Sequence, residues 1–354
     1  MRIFIILIIS FCFAITATAQ QTPVDSGFTN KAEAENKTVN GLKEGKWVEY
    51  FDSNRMGTKD TAAPYYRLAW YSSGKPNGTS RIYYKSGKLQ EAIPYDNYVK
   101  NGTQLEYKEN GMLQRECSFR NDSLYGTEKL YSDHGKLISE TPYLDNIVNG
   151  VVKQYNDSGK LLYEIPYVNG KITGVKKQYY ESGAILVETQ LLDGKMNGAQ
   201  KVYYESGVLN SETPFINDTI NGVAKQYYEN SNIYSETPYV DGKINGIVKG
   251  YDQNGTLLSE TPNMDGVIYG VQKYYYGDGT VKTEKPYTDN KLNGLVKDYY
   301  ENGYTKIETP YTDGEINGTQ KQYRENGALG SETEYSYGVA GQTKYYDKNG
   351  IEVK

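Results

Sequence analysis

The chain has 354 residues, among them 38 tyrosines, 37 glycines, two cysteines and a single histidine, with 37% hydrophobic content and a net charge of −5. An acidic chain lacks the basic face that a nucleic-acid backbone requires, and one histidine leaves little for His-based acid–base or metal chemistry. Disordered chains are poor in aromatics, whereas tyrosine suits strands with one dry end and one wet end, so the composition points to a thin, repetitive β architecture.

In chain order, Met1-Arg2 precedes a short apolar run from Ile3 to Ile15, and Ala17-Thr18-Ala19 forms a small-x-small cleavage site. Residues 1–19 are therefore expected to be a signal peptide that exports the protein to the periplasm, the outer surface or the medium. The run is too short for a membrane span, and no transmembrane segment is expected after cleavage. Phe11 is too bulky for lipoprotein processing at Cys12. Cleavage would leave Cys117 as the only thiol, so no intrachain disulfide is expected. Residues 20–39 read as a flexible polar lead-in. Residues 40–77 read as an irregular capping repeat that starts at Gly45 with Tyr50, holds both Trp47 and Trp70, and carries about nine extra residues between Phe51 and Ser73.

Residues 78–354 read as tandem repeats. A glycine recurs every 24 residues from Gly78 to Gly318, and a tyrosine stands five residues after each, as in Tyr203, Tyr227 and Tyr251. One unit, NGVAKQYYENSNIYSETPYVDGKI, reads as two strands and two turns, the turns marked by Asn-Gly, Ser-Gly or Asp-Gly. With the repeat glycine as offset zero, a two-residue first turn at offsets eight and nine pairs offsets that sum to seventeen. Lys225 then faces Glu236, Gly222 faces Tyr239 and Tyr228 faces Ile233. Two-residue loops at both ends would create a parity conflict in the intervening strand. The second turn is therefore expected to be a four-residue loop, such as Val240-Asp241-Gly242-Lys243. The proline at offset sixteen, for example Pro238, is expected to mark a lost rung or bulge.

The pattern NG-xxK-x-YY-E-x-G-x-L-x-x-E-x-P-Y-x-DGK resembles the bacterial variant of the MORN repeat over roughly residues 40–354, in about thirteen units. It departs from the eukaryotic pattern, which favours Tyr-x-Gly-x-Trp. The resemblance implies an all-β fold, an elongated single-sheet array of stacked antiparallel β-hairpins with a 24-residue period. Its functional implications are broad: membrane or lipid association, protein scaffolding, and antitoxin components of toxin–antitoxin pairs. Some relatives carry a phosphatidylinositol-phosphate-kinase label, but this chain shows no P-loop or kinase motif, so that label is rejected.

The leading expectation is an exported, non-enzymatic β-repeat scaffold that binds a protein partner at the cell envelope. The alternatives are a carbohydrate- or envelope-binding module using a tyrosine strip, and an antitoxin or immunity partner of a toxin. No catalytic residue, cofactor, metal ligand or nucleic-acid partner is expected. Repeated carboxylates lack the uniqueness of an active site, and Asp252-Gln253-Asn254-Gly255 lacks the ligand spacing of a calcium loop. The Lys–Glu pairs read as self-neutralising cross-strand pairs. His134 reads as an exposed turn residue and Cys117 as a half-buried structural thiol. Offsets three, five, twelve and fourteen are expected on one face, and offsets six, eleven, seventeen and twenty-two on an apolar packing face. Tyr203, Tyr227 and Tyr251 on the first face form the candidate partner-binding strip.

Overall fold

The computed structural model describes residues 27–353. The expected signal peptide and the first residues of the lead-in lie outside the described residues. Thirty-seven short strands account for nearly all the regular structure described, beside one three-residue helical turn, Lys31–Glu33. The strands pair antiparallel, and the chain divides into two compact units, up to Val148 and from Asn149 onward.

The first unit contains the irregular repeat. Leu42–Phe51 pairs with Tyr65–Ser72, which pairs with Lys75–Tyr84. The extra residues form a loop between Phe51 and Tyr65, held by Asp52, whose Oδ1 accepts the backbone N–H groups of Asn54 and Met56. Part of the segment expected to be a flexible lead-in packs instead: Phe28 is buried with Leu68 and Tyr83, and Lys37–Val39 pairs with Leu42–Glu44. Ala34, Val48, Tyr66 and Leu89 pack around this cluster. A strand array cannot bury the face of its first copy unaided, and this cluster gives the first copy a small core.

The second unit repeats one hairpin, of which Gly222–Tyr227 with Ile233–Val240 is representative. Gly222 faces Tyr239 and Lys225 faces Glu236, as the sequence reading expects. The turns differ from it. The first turn is a three-residue loop, not a two-residue one: Tyr228 C=O accepts from Ser231 N–H at 2.9 Å, and Tyr228 N–H donates to Asn232 C=O at 2.8 Å. Of the three loop residues only Ser231 has a positive φ, at 72°, which is the pattern of a type I turn followed by one left-handed residue. The longer loop shifts the pairing by one, so Tyr227, not Tyr228, faces Ile233. A bulge between Gln226 and Tyr227, with Tyr234 as the extra residue, restores the register that sets Lys225 against Glu236. Offset eleven is thereby moved onto the Lys–Glu face, and the expected grouping of offset eleven with offsets seventeen and twenty-two is corrected.

The second turn is the two-residue one. Val240 faces Lys243, and Asp241 and Gly242 both have positive φ, at 49° and 80°, the signature of a type I′ turn. The parity conflict is real, but an irregularity resolves it instead of a longer loop. Tyr239 faces Ile244 while Glu236 faces Lys249, so two extra residues are absorbed around Asn245-Gly246. There Asn245 N–H turns to Pro238 C=O at 2.9 Å, and Gly246 adopts φ +123°. The proline therefore sits beside the distortion, which falls on the facing strand. Where Gln190 or Glu334 replaces it, the following strand, Lys195–Tyr203 or Val339–Tyr346, runs unbroken. Ser118 keeps the break before Gly126, so proline is not its sole cause.

Candidate functional site

The alternation of strands places Lys225, Tyr227, Glu236, Pro238 and Val240 on one face of their hairpin, with Ala224, Thr237 and Tyr239 on the other. The latter face supplies the packing: Val152 and Val296, equivalent to Ala224, and Thr309, equivalent to Thr237, are buried. Four rows of chemistry follow the repeats, three on the former face and one, at offset six, just past the strand end.

The first row is the charge ladder. Glu236 faces Lys225 within its hairpin and Lys249 of the next, so charges alternate from strand to strand. The ion pairs within hairpins are open to solvent, with separations of 3.6 Å for Lys177–Glu188, 3.3 Å for Lys225–Glu236 and 3.8 Å for Lys249–Glu260. Each such pair contributes about 0.2–1 kcal/mol.

The second row is the candidate strip. Tyr203, Tyr227 and Tyr251 end their strands at equivalent positions and are half-buried. Tyr203 Oη donates to Glu188 Oε2 at 2.8 Å, and Tyr251 Oη donates to Glu236 Oε2 at 2.9 Å, each reaching the glutamate of the preceding hairpin. Tyr227 does not make this bond. Burial, then the hydrogen bond to a carboxylate, pushes the Tyr203 and Tyr251 phenols up to about 12, because ionisation would set two negative charges side by side.

The third row is absent from the sequence reading. The tyrosine at offset six reaches the next repeat: Tyr180, Tyr204 and Tyr228 donate to the backbone C=O of Tyr203, Tyr227 and Tyr251 at 2.7–2.9 Å. The recurring Tyr-Tyr doublet was the available signal. Its second member would face Ile233 only across a two-residue first turn; the three-residue loop leaves it to reach the next repeat.

The fourth row is an exposed apolar stripe beside the second turn. Val151, Val175, Val223, Ile247, Val271 and Leu295 follow the repeat glycine directly, and Val168, Leu192, Ile216, Val240 and Met264 occupy offset eighteen. Val223 is 45% exposed, Ile247 48% and Val240 48%, which is high for aliphatic side chains in regular strands. Prolines such as Pro238 lie between the two lines. Val223, Pro238 and Ile247, with Lys225, Glu236 and Lys249, rim a shallow depression of about 390 Å³. Ala199 is the small member of the first line, and the lines give way to Thr79, Thr103, Thr127, Asp96 and Arg120 in earlier repeats, where Leu144 alone keeps an aliphatic, and to Thr288, Thr312 and Thr319 in later ones. That switch is legible in the sequence once the repeats are aligned.

The first unit holds a denser charged cluster. Glu49 accepts from Arg67 Nε at 2.6 Å and Tyr71 Oη at 2.9 Å and pairs with Lys43. Burial works to raise the Glu49 carboxyl, yet Arg67 and Lys43 hold it below its ordinary value. The carboxylate is saturated by its own neighbours, which suits a structural network. Cys117 is almost wholly buried, more so than expected, and burial pushes its thiol up to about 11. His134 lies exposed in a turn. Asp252 Oδ1 accepts the N–H groups of Asn254 and Thr256, so its loop is organised by turn chemistry. Among the described residues, no three His, Cys, Asp or Glu side chains group in a way that could hold a metal ion, and no helix is long and apolar enough to cross a membrane.

Comparison with solved structures gives a remote likeness. The TcdB2-TccC3-Cdc42 crystal structure is 12% identical over 84% of this chain and 20% of its own, with a TM-score of 0.17. The Tc holotoxin pore of Photorhabdus luminescens is 11% identical over 80% of this chain and 19% of its own, with a TM-score of 0.16. The chain thus spans about a fifth of the length of these chains, and scores this low carry neither fold nor function across. A search of curated proteins finds no match. The MORN repeat variant family model matches nine segments, residues 76–97, 100–121, 124–145, 148–169, 196–217, 220–241, 244–262, 268–289 and 292–313. The hairpin between residues 174 and 192 escapes that model but has the same register, with Lys177 facing Glu188. With more than half of its length matched, the chain belongs to the MORN repeat variant family.

Proposed function

We propose that this protein is an exported, non-enzymatic scaffold that binds a protein partner through the face carrying the charge ladder, the tyrosine strip and the apolar stripe. The observation that carries this reading is the stripe itself. Surface-exposed aliphatic residues recurring at two offsets over many repeats form the apolar patch with polar surroundings that marks an interaction surface. Tyr203, Tyr227 and Tyr251 lie on the same face, and the glutamate bonds of Tyr203 and Tyr251 hold those rings as rigid anchors. Repetition of every carboxylate in equivalent surroundings supports a binding role over a catalytic one. Export rests on the Ala17-Thr18-Ala19 pattern, with the periplasm or outer surface as the destination.

The test is site-specific photo-crosslinking in cells from position 223, with position 226 on the opposite face as control. A discrete adduct from 223 alone supports the reading. Equal labelling from both positions, or none from either, overturns it.

A further inference from the structure

The stripe and the ladder share a symmetry that bears on what covers them. Along the second unit the ladder reads Lys, Glu, Lys, Glu from strand to strand, as Glu212–Lys225, Lys225–Glu236 and Glu236–Lys249. Suppose an identical face is laid on this one by a two-fold axis parallel to the strands. Distance along each strand is preserved, so stripe falls on stripe and ladder on ladder, while the order of strands is reversed. If the axis passes between a lysine strand and a glutamate strand, every lysine of one copy meets a glutamate of the other. The offset-one line from Val151 to Leu295 spans seven hairpins, and the middle of that block lies between Gly222–Tyr227 and Ile233–Val240. An axis there lays the block on itself and sets the offset-one line of one copy against the proline line of the other. It sets Lys225 of one copy against Glu236 of the other, and Val223 against Pro238. Isologous interfaces require such self-complementarity, and a partner of uniform charge would gain nothing from this ladder.

We infer that the occupant of the apolar stripe is a second copy of this chain, packed face to face about a two-fold axis beside Val223. The inference rests on the reading of the stripe as a binding face and names its partner.

The chain supplies its own conservative substitutions, since threonine already occupies both lines at Thr79, Thr103, Thr127, Thr288 and Thr312. The first experiment is sedimentation equilibrium of the wild-type protein and of the triple variant Val223→Thr, Val240→Thr, Ile247→Thr, with circular dichroism melts of both. The expected result is a wild-type dimer and a dissociation constant at least tenfold weaker in the variant, with the melt retained. The second experiment mixes Lys225→Glu with Glu236→Lys. Each variant alone sets like charges across the interface, whereas the mixture pairs opposite charges. The mixed dimer is expected to be at least threefold tighter than either homodimer, a result that a role within one chain does not produce.

A wild-type protein that is monomeric at hundreds of micromolar overturns the inference, as does a triple variant that dimerises equally well. If the protein is monomeric but position 223 crosslinks a different protein, the binding face stands and only the second copy is refuted. If it is monomeric and no adduct forms, both readings fall.

Discussion

Replacing Gly246 by alanine tests the account of how successive hairpins are joined. Gly246 has φ +123°, a region that side-chain-bearing residues rarely adopt, and an added Cβ would lie 2.9 Å from Pro238 Cγ and 3.3 Å from its Cβ. Backbone strain of this kind costs about 1–3 kcal/mol. The proline ring is rigid and cannot swing aside, so the contact adds to that cost. Two other glycines separate the terms. Gly198 has φ +118°, but its added Cβ would meet the far end of Gln190, which can rotate away, so Gly198→Ala should pay the backbone term alone. Gly255 has φ +86° with nothing within 4 Å, and Gly255→Ala should cost about 1–2 kcal/mol. The expected order of destabilisation is Gly246, then Gly198, then Gly255. The melting temperature of Gly246→Ala should fall by roughly 5–15 °C, given about 2–4 °C per kcal/mol for a unit of this size. Thermal and urea melts by circular dichroism measure this, and adding Pro238→Ala should recover part of the loss. Equal destabilisation by all three substitutions, or none by Gly246→Ala, would refute the reasoning.

Lys225→Glu places two like charges opposite each other, and combining it with Glu236→Lys should restore a coupling of about 0.2–1 kcal/mol at low salt; zero coupling in a double-mutant cycle on the monomer would show that the pair is idle. The phenols of Tyr203 and Tyr251 titrate higher folded than the ordinary value of 10 because the folded state favours their neutral form. Their contribution is therefore complete below pH 10 and lost as pH rises towards about 12, and melts across that range should show it, with tyrosinate absorbance following the same transition. Changing Tyr203, Tyr227 and Tyr251 together to serine should lower the melting temperature but leave the protein folded at 25 °C, and should weaken partner capture at that temperature; capture lost only in proportion to unfolding would make the row structural. Burial and a raised pKa should leave Cys117 unreactive to a thiol reagent at pH 8 until the protein is denatured, so rapid native labelling would contradict its placement. Intact mass of the exported form should show loss of residues 1–19, and retention of Met1 in that fraction would sink the signal-peptide assignment.

The 24-residue recurrence of glycine and tyrosine determines, without any structure, that the chain is a hairpin array, and the Lys–Glu spacing determines which residues face each other across each hairpin. Charge complementarity is local to two strands and leaves its mark on every copy. The turns were not legible in the same way. Asn-Gly and Asp-Gly dipeptides allow positive φ but do not say whether one residue or two will adopt it: the first turn has three residues where two are expected, and the second has two where four are expected. A three-residue loop with a compensating bulge at Tyr234 leaves the Lys225–Glu236 register where a two-residue loop would put it, so register alone cannot distinguish them. Only the tertiary structure decided that offset eleven lies with the tyrosine strip, that Tyr228 ties its hairpin to the next through the Tyr251 carbonyl, and that Gly246 is held against Pro238. Those contacts join residues of successive repeats, so their geometry depends on how one hairpin is laid against the next. Burial of Phe28 belongs to the same class: a lone phenylalanine in a polar segment acquires a core only when the first hairpin presents Leu68 and Tyr83 to cover it.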